Sequence, residues 1–211
     1  MSVLSNLVAR LVGDVGTKQY ADGATSVEVQ LSRQGAVHIA PSAGKYAAAA
    51  LAGRLYSGCN QAKIATTAGL ATAYTGFALA NPVTSGKNAI ILEAGWASEI
   101  AVSDAGTIGL MWYPIGTTTH AADVAAYNCK LGGANSAMLI DNGTTIGTPL
   151  LCRVIGSYGT GATNLFEGYG PCVYDVGGSI VVTPGYGIAF YTTTATTACF
   201  NFHLVWEEVP V

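Results

Sequence analysis

The chain has 211 residues, of which 50% are hydrophobic and only 10% are charged, against about 25% charged residues in a typical globular protein. Its mean hydropathy is +0.40, but its apolar runs fall well short of the ~18 residues that span a bilayer, which argues against a membrane protein. No basic segment is followed by an apolar core and a cleavage site, so no signal peptide is expected. A chain with so few charges is expected to bury much of its surface against other chains.

The charges are divided unevenly along the chain. Residues 1–63 carry a net charge of +3, and residues 64–211 carry a net charge of −6. Such asymmetry indicates a partner for the basic part. Proteins that bind nucleic acid usually cluster Lys and Arg on one face, and this sequence shows no such cluster. An acidic protein surface is the better match.

The cysteines are Cys59, Cys129, Cys152, Cys172 and Cys199. They form no CxxC pair, and an odd number in a chain of this length is not typical of a secreted disulfide framework. We therefore expect reduced thiols and synthesis in the cytoplasm. Cys152 and Cys199 fall within strand-like runs, where each is predicted to be a small buried apolar residue.

The N-terminal segment SNLVARLVGDVG has the spacing of an amphipathic helix. Leu4, Leu7, Val8 and Leu11 occupy positions i, i+3, i+4 and i+7. A helix this short is marginal by itself and needs a surface to lie on. A disordered terminus is the alternative interpretation.

Two alternating stretches follow, and each reads as a strand. They cover residues 26–32 and 35–41, with a turn at Arg33–Gln34–Gly35 between them. The next segment, KYAAAALAGRLYSG at 45–58, fits either a short helix or extended chain, and extended chain is preferred.

From residue 70 onward, nearly the whole sequence reads as strands and turns. The predicted strands cover 75–82, 88–102, 106–116, 136–140, 149–159, 179–184, 187–193 and 198–208. Strands at short intervals with Gly, Asn, Asp and Pro between them are typical of a β-sandwich or barrel. The predicted fold is all-β, a jelly-roll-like antiparallel β-sandwich over residues 61–211. Residues 1–60 form an extended N-terminal arm that can include a short helix and strands.

The chain ends in the aromatic stretch ACFNFHLVWEEVPV. Phe200, Phe202, Leu204 and Trp206 alternate with other residues, which predicts a half-buried strand whose aromatic side chains lie in the core. Because an unpaired terminus frays, this strand is expected inside a sheet rather than at its edge.

The turns before this last strand predict its partners. Pro184–Gly185 and the Thr-rich segment 192–197 separate three consecutive strands. The last strand is therefore predicted to form a hairpin with 187–193, which forms another hairpin with 179–183.

Catalytic motifs are weak in this sequence. His38, His120 and His203 lack the spacing of a zinc site. His120 and Asp123 are close enough in sequence for the carboxylate to orient the imidazole, but no nucleophile motif accompanies them. No enzyme activity, metal or other cofactor is expected.

The pair Glu207–Glu208 is the nearest approach to the two carboxylates of a glycoside hydrolase. Adjacent strand residues point to opposite faces, so the two cannot share a substrate. We interpret this pair as a solvated strand end.

Several stretches resemble virion proteins of tailed bacteriophages. They are GKYAAAALAGRLYSG, TTAGLATAYTGFALANPVTSGKNAIILEAGWA, and the Pro–Gly turn, apolar strand and closing strand that ends in WEEVP. The likeness is to jelly-roll capsid decoration (cement) or head-fibre proteins and covers roughly residues 26–211. It implies a non-enzymatic homotrimer on the capsid surface of the virion, with the major capsid protein as partner. Its motifs are structural rather than catalytic, and a fold does not by itself determine a function.

This interpretation assigns contacts to particular residues. The basic arm is expected to lie along capsid subunits and add strands to exposed sheet edges. The expected capsid contacts are Leu4, Leu7, Val8, Arg10, Leu11, Lys18, Arg33 and Arg54. The expected contacts between subunits are Trp96, Trp112 and Trp206.

The alternative function is a glycan- or receptor-binding head-fibre or tail-associated module, with a host surface glycan as ligand. The tyrosines in or beside loops are Tyr113, Tyr158, Tyr169, Tyr174 and Tyr186. Exposed tyrosines suit a protein interface and a sugar-binding surface equally well. The glycan interpretation expects loops within 157–174 to face outward, while a purely structural interpretation has about half of these tyrosines cap the core.

Overall fold

The computed structural model describes residues 44–67, 73–100, 102, 104–143, 145–159 and 172–211. The chain divides into two units, Met1–Lys45 and Tyr46–Val211, and the second contains the fold. The predicted helix at 4–11 and the predicted strands at 26–32 and 35–41 lie outside the described residues.

The second unit contains one short helix, α1 (Ala47–Leu51), and thirteen strands among its described residues. The strands are β1 (Leu55–Cys59), β2 (Ile64–Thr66), β3 (Ala73–Thr75), β4 (Ala78–Ala80), β5 (Lys87–Ser98), β6 (Gly106–Pro114), β7 (Ala126–Asn128), β8 (Leu139–Asp141), β9 (Thr145–Gly147), β10 (Leu150–Tyr158), β11 (Cys172–Val182), β12 (Tyr186–Thr192) and β13 (Thr196–Pro210). Each strand predicted after residue 70 overlaps one of these, with shifted boundaries.

The strands form an antiparallel β-sandwich, as predicted. Sheet one has the order β11-β5-β13-β1-β7, and β2 also pairs with β13, whereas sheet two has the order β10-β6-β12-β4-β8. The small two-stranded sheet pairs β3 with β9. Eight of these strands are arranged as in a jelly roll. In sheet one β13 lies between β1 and β5, and in sheet two β12 lies between β4 and β6.

The closing strand β13 lies in the centre of sheet one, which confirms the prediction for the C-terminal stretch. It pairs with β5 on one side and with β1 on the other. Its inward side chains Phe200, Phe202, Leu204 and Trp206 are at most 1% exposed. Phe202 stacks on Phe190 of sheet two with ring centroids 4.5 Å apart, so this aromatic pair joins the two sheets at the core.

The predicted hairpins among the last three strands are wrong. β11 and β13 belong to sheet one, and β12 lies between them in sequence but belongs to sheet two. The chain does turn at Pro184–Gly185, where Gly185 has a φ of 88° and the Tyr186 N–H donates to the Thr183 carbonyl at 3.2 Å. That turn carries the chain from one sheet across to the other.

The alanine run forms a helix rather than the extended chain that the sequence favoured. Ala has the highest helix propensity, and Gly53, with a φ of 69°, ends the turn. Ala49 packs on Leu55 and Leu92 and thus covers part of the outer face of sheet one. β1 begins at Leu55 and pairs with β13, so the sandwich includes residues before position 61.

The middle of sheet two, at β6 and β12, is buried on both of its faces. One face contributes Ile108, Leu110 and Phe190 to the core between the sheets. The other face packs Met111 and Tyr113 against Ile146 of β9. No helix among the described residues has the length and apolar character needed to cross a bilayer.

Candidate functional site

An exposed aromatic pair lies at one end of sheet two. Trp112 shares the inward face of β6 with Ile108 and Leu110, because side chains on a strand repeat every two residues. The core does not extend this far, and Trp112 is 39% exposed. Tyr186 continues the inward face of β12 in the same way and is 43% exposed. The two ring centroids are 5.8 Å apart.

Other apolar residues extend this pair into a continuous surface. Leu150 is the register partner of Trp112, and Pro114 is the register partner of Tyr186. Val83, in the connection between β4 and β5, lies against Gly185, next to Tyr186. We call this surface the end patch, and its members are Val83, Trp112, Pro114, Leu150 and Tyr186.

Exposed apolar side chains also occur on the two edge strands β10 and β11. β10 is the outermost strand of sheet two and β11 the outermost strand of sheet one. Arg153 on β10 donates a hydrogen bond from Nη1 to the Oγ of Ser179 on β11 at 2.9 Å, and this bond joins the two strands. We call the side formed by these two strands the open side. Its exposed residues do not share a face, because Leu151 and Val154 lie on the outer face of sheet two and Val173 and Val181 lie on the outer face of sheet one. Cys152 is exposed as well.

His120 is held in the interior by two partners. Its Nδ1 is hydrogen-bonded to Asp141 Oδ2, and its Nε2 lies 3.2 Å from the Tyr113 hydroxyl. Burial, together with the negative charge of Asp141, raises the pKa of Tyr113. Each of the three residues is at most 9% exposed, so this group fastens the segment after β6 onto sheet two and offers little access to a substrate.

The expected pairing of His120 with Asp123 is wrong. The Asp123 carboxylate instead accepts the backbone N–H of Asn142 at 3.0 Å. Asp141, at the end of β8, occupies the position that sequence proximity suggested for Asp123. Spacing along the chain did not identify it, because the contact depends on how β8 lies beside β4.

Glu208 is buried, so the interpretation of Glu207–Glu208 as a solvated strand end is wrong for Glu208. Its side chain is 1% exposed and accepts hydrogen bonds from Lys87 Nζ at 2.8 Å and Ser136 Oγ at 2.6 Å. Glu207 points to the opposite face and pairs with Arg54 at 3.0 Å. The two carboxylates therefore do point in opposite directions, as the strand periodicity predicted.

The outer face of sheet one carries a partly buried histidine. The imidazole of His203 lies directly over the Cα of Gly95 on the neighbouring strand. Burial lowers the pKa of His203, and the nearby Glu93 carboxylate opposes that effect. Glycine is required beneath the ring, since a side chain at position 95 would overlap the imidazole.

The predicted subunit-contact tryptophans occupy different environments. Trp206 is 0% exposed and Trp96 is 9% exposed, because both lie between the two sheets of the same chain. Trp112, in the end patch, is the member of this trio that a partner can reach. Of the expected capsid contacts, Arg54 is described and pairs with Glu207. The others lie outside the described residues, namely Leu4, Leu7, Val8, Arg10, Leu11, Lys18 and Arg33.

The tyrosines of the glycan interpretation also separate by environment. Tyr113 and Tyr158 are buried, Tyr174 is half-buried, and Tyr186 is exposed. Tyr169 and most of the segment 157–174 lie outside the described residues. Of these five tyrosines, Tyr186 is therefore the one that the structure shows exposed to a sugar ring, and Trp112 lies beside it.

The five cysteines form no disulfide. Cys199 is fully buried, as predicted, whereas Cys152 is exposed on the open side, so the prediction for Cys152 is wrong. Sequence reasoning also missed Val154, Val173 and Val181 as surface residues. An apolar residue on a strand is normally assigned to a core, and only the strand order shows that these three lie at an edge.

The described residues contain no group of three or more His, Cys, Asp or Glu side chains arranged to hold a metal ion. No protein-family model, curated protein or solved structure matches the chain.

Proposed function

We propose that the protein is a non-catalytic structural component of a tailed-bacteriophage virion that binds the outer surface of the capsid and stabilises it. The observation that carries the proposal is the end patch, an exposed aromatic and aliphatic surface on a domain with few charges. Exposed apolar surfaces of this kind serve as contacts with other macromolecules. Trp and Tyr are also enriched in protein interfaces.

The architecture supports a mechanical role. β13 pairs with β5 on one side and with β1 on the other, and aromatic side chains of the two sheets stack at Phe190 and Phe202. A body of this kind presents a surface without rearranging. Residues 1–63 have a net positive charge. Arg54 and Lys63 pair with Glu207 and Glu99 of the same chain, so the remaining basic residues supply the complementary charge for an acidic capsid subunit. Repeated weak contacts over a shell then stabilise it through avidity.

Co-sedimentation with capsids that lack the protein tests the proposal. The wild-type chain is expected to bind saturably, and the double variant Trp112→Ala/Tyr186→Ala is expected to bind much more weakly. Tyr127→Ala is the matched control, because Tyr127 is 61% exposed and lies on β7, an edge strand of sheet one that is not part of the end patch. Absence of wild-type binding to capsids would refute the proposed function.

The arm is tested separately. Deleting residues 1–25 is expected to leave the circular dichroism spectrum of a β protein while capsid binding is lost. If the truncated chain decorates capsids as the full chain does, the arm is not the attachment element.

The alternative function is glycan binding, and the Trp112–Tyr186 pair is the observation that favours it. Exposed aromatic rings stack on the apolar faces of sugars, and a tyrosine hydroxyl adds a hydrogen bond. Screening the protein against host surface polysaccharides distinguishes the two functions. Saccharide binding that Trp112→Ala abolishes, together with no capsid binding, would favour the receptor-binding module.

A further inference from the structure

The chain segments that border the end patch meet at one buried asparagine. Asn81 follows β4 directly and is 0% exposed. Its Nδ2 donates to the backbone carbonyls of Lys87 and Val182, each at 2.8 Å. Its Oδ1 accepts a hydrogen bond from the Ser85 hydroxyl. The side chain of Asn81 thus links the end of β4 to the start of β5, the end of β11 and the connection between β4 and β5.

The backbone of Asn81 holds the turn that leads into Tyr186. The Asn81 N–H donates to the Tyr186 carbonyl at 2.9 Å, and the Asn81 carbonyl accepts from the Gly185 N–H at 2.8 Å. Val83 follows Asn81 by two residues and lies against Gly185. Two members of the end patch, Val83 and Tyr186, therefore belong to the segments that Asn81 fastens.

We propose that Asn81 is the positioning residue of the end patch and holds Val83 and Tyr186 beside Trp112 before a partner binds. The inference rests on the proposed function, because it takes the end patch as the surface that the partner contacts. Side chains and loops that already occupy their bound positions need not be ordered on binding, so preorganisation strengthens the complex. Asn81 is fully buried and acts through its neighbours rather than by touching the partner.

The hydrogen-bonding pattern requires an amide at position 81. Nδ2 faces two carbonyl oxygens, which only accept, and Oδ1 faces a hydroxyl, which donates. An asparagine side chain supplies both donors and the acceptor. An ionised aspartate has the same shape but supplies acceptors alone. Asn81→Asp is therefore expected to disturb the end patch at least as strongly as Asn81→Ala, because it turns a carboxylate oxygen toward the two carbonyl oxygens.

A second buried asparagine provides the matched control. Asn60 is 2% exposed, its Nδ2 donates to the carbonyls of Ala62 and Phe200, and its Oδ1 accepts from the Phe202 N–H. These bonds join the segment after β1 to β13 and include no residue of the end patch. Asn60→Ala thus removes a comparable set of buried hydrogen bonds from another part of the same domain.

Tryptophan fluorescence reports on the end patch without any partner. Trp112 is 39% exposed, whereas Trp96 and Trp206 are at most 9% exposed. Acrylamide quenches exposed indole rings, so the quenching that disappears in Trp112→Phe belongs to Trp112. The ring of Tyr186 lies beside that of Trp112, with centroids 5.8 Å apart, and a displaced Tyr186 would uncover it.

Quenching of Trp112 is therefore expected to rise in Asn81→Ala and in Asn81→Asp. In Asn60→Ala it is expected to stay at the wild-type value, although urea unfolding should show a similar loss of stability. If Asn81→Ala does not fold, Ser85→Ala replaces it. That variant removes only the bond to Oδ1, and it is expected to raise the quenching to a smaller extent.

Capsid co-sedimentation supplies the second measurement. Asn81→Ala is expected to raise the dissociation constant about ten-fold, because the partner must then order Val83 and Tyr186 on binding. Asn60→Ala is expected to bind as the wild type does, provided that both variants remain folded under the conditions of the assay, which circular dichroism checks.

Three results would overturn the inference. They are unchanged quenching of Trp112 in both Asn81 variants, equal increases in Asn81→Ala and Asn60→Ala, and raised quenching with unchanged capsid affinity in Asn81→Ala. Wild-type behaviour of Asn81→Asp would contradict the requirement for an amide. A wild-type chain that does not bind capsids would refute the proposed function, and raised quenching in the Asn81 variants would still support the positioning role.

Discussion

Lys87 and Glu208 form an ion pair at the end of sheet one, with Lys87 Nζ 2.8 Å from Glu208 Oε2. The carboxylate is buried, while the lysine side chain is 36% exposed. Glu208 also accepts hydrogen bonds from Ser136 Oγ and from the backbone N–H of Ala137 at 3.1 Å. The carboxylate thereby fastens the segment before β8 to the closing strand.

Glu208→Ala is expected to lower the free energy of unfolding by about 2–4 kcal/mol, because it removes a buried carboxylate and leaves the half-buried Ser136 hydroxyl and Ala137 N–H without this acceptor. Lys87→Met is expected to cost less, about 1 kcal/mol, because the lysine is partly solvated. Urea unfolding measures both values. A smaller loss for Glu208→Ala than for Lys87→Met would contradict the assignment of Glu208 as the centre of this group.

Alkaline pH is expected to destabilise the protein through Lys87 and Tyr113. The hydrogen bond to Glu208 raises the pKa of Lys87, and burial raises the pKa of Tyr113. Both groups keep their protons in the folded chain at a pH where the unfolded chain releases them. Their contributions to stability are therefore complete below pH 10 and decline above it.

Urea unfolding between neutral pH and pH 11 measures this decline. It should be shallower in Lys87→Met and in Tyr113→Phe than in the wild type. An unchanged slope in both variants would show that neither group is linked to folding.

Acidic pH is expected to destabilise the protein through His203. Burial lowers its pKa below the ordinary value of 6.5, so the unfolded chain binds a proton more readily than the folded one. The free energy of unfolding therefore falls as the pH drops below about 6.5. His203→Asn should flatten this part of the pH profile, and a profile identical to that of the wild type would exclude His203 as its source.

Gly95→Ala is expected to destabilise the protein by about 1–3 kcal/mol, because a methyl group at this position overlaps the His203 imidazole. In the His203→Ala background the same change should be nearly neutral, since the space above the strand is then open. A double-mutant cycle in urea measures this coupling. Additive effects of the two substitutions would mean that the glycine is needed for another reason.

The alternation in 198–208 contained enough information to predict an interior strand with a buried aromatic face. Few structures other than a half-buried strand place large apolar side chains at every second residue on one side. The same reasoning placed the turn at Pro184–Gly185 and assigned Glu207 and Glu208 to opposite faces. These properties depend on neighbours in sequence, so the sequence predicts them directly.

The partners of each strand could not be predicted in this way. Both sheets bury one face in the same core. A strand with alternating apolar residues can therefore bury its apolar side chains equally well in either sheet. A turn reverses the chain without selecting the sheet that follows, and for this reason β12 joined sheet two rather than its neighbours in sequence. Whether a residue lies at an edge or inside depends on that pairing.

The candidate surfaces follow from the pairing as well. Trp112 and Trp206 have the same side chain on strands of similar character, yet one is exposed and the other fully buried. By itself, the sequence determined an all-β chain with few charges and an aromatic closing strand. Only the tertiary structure decided which apolar side chains face solvent, because exposure depends on contacts between strands that are far apart in the chain.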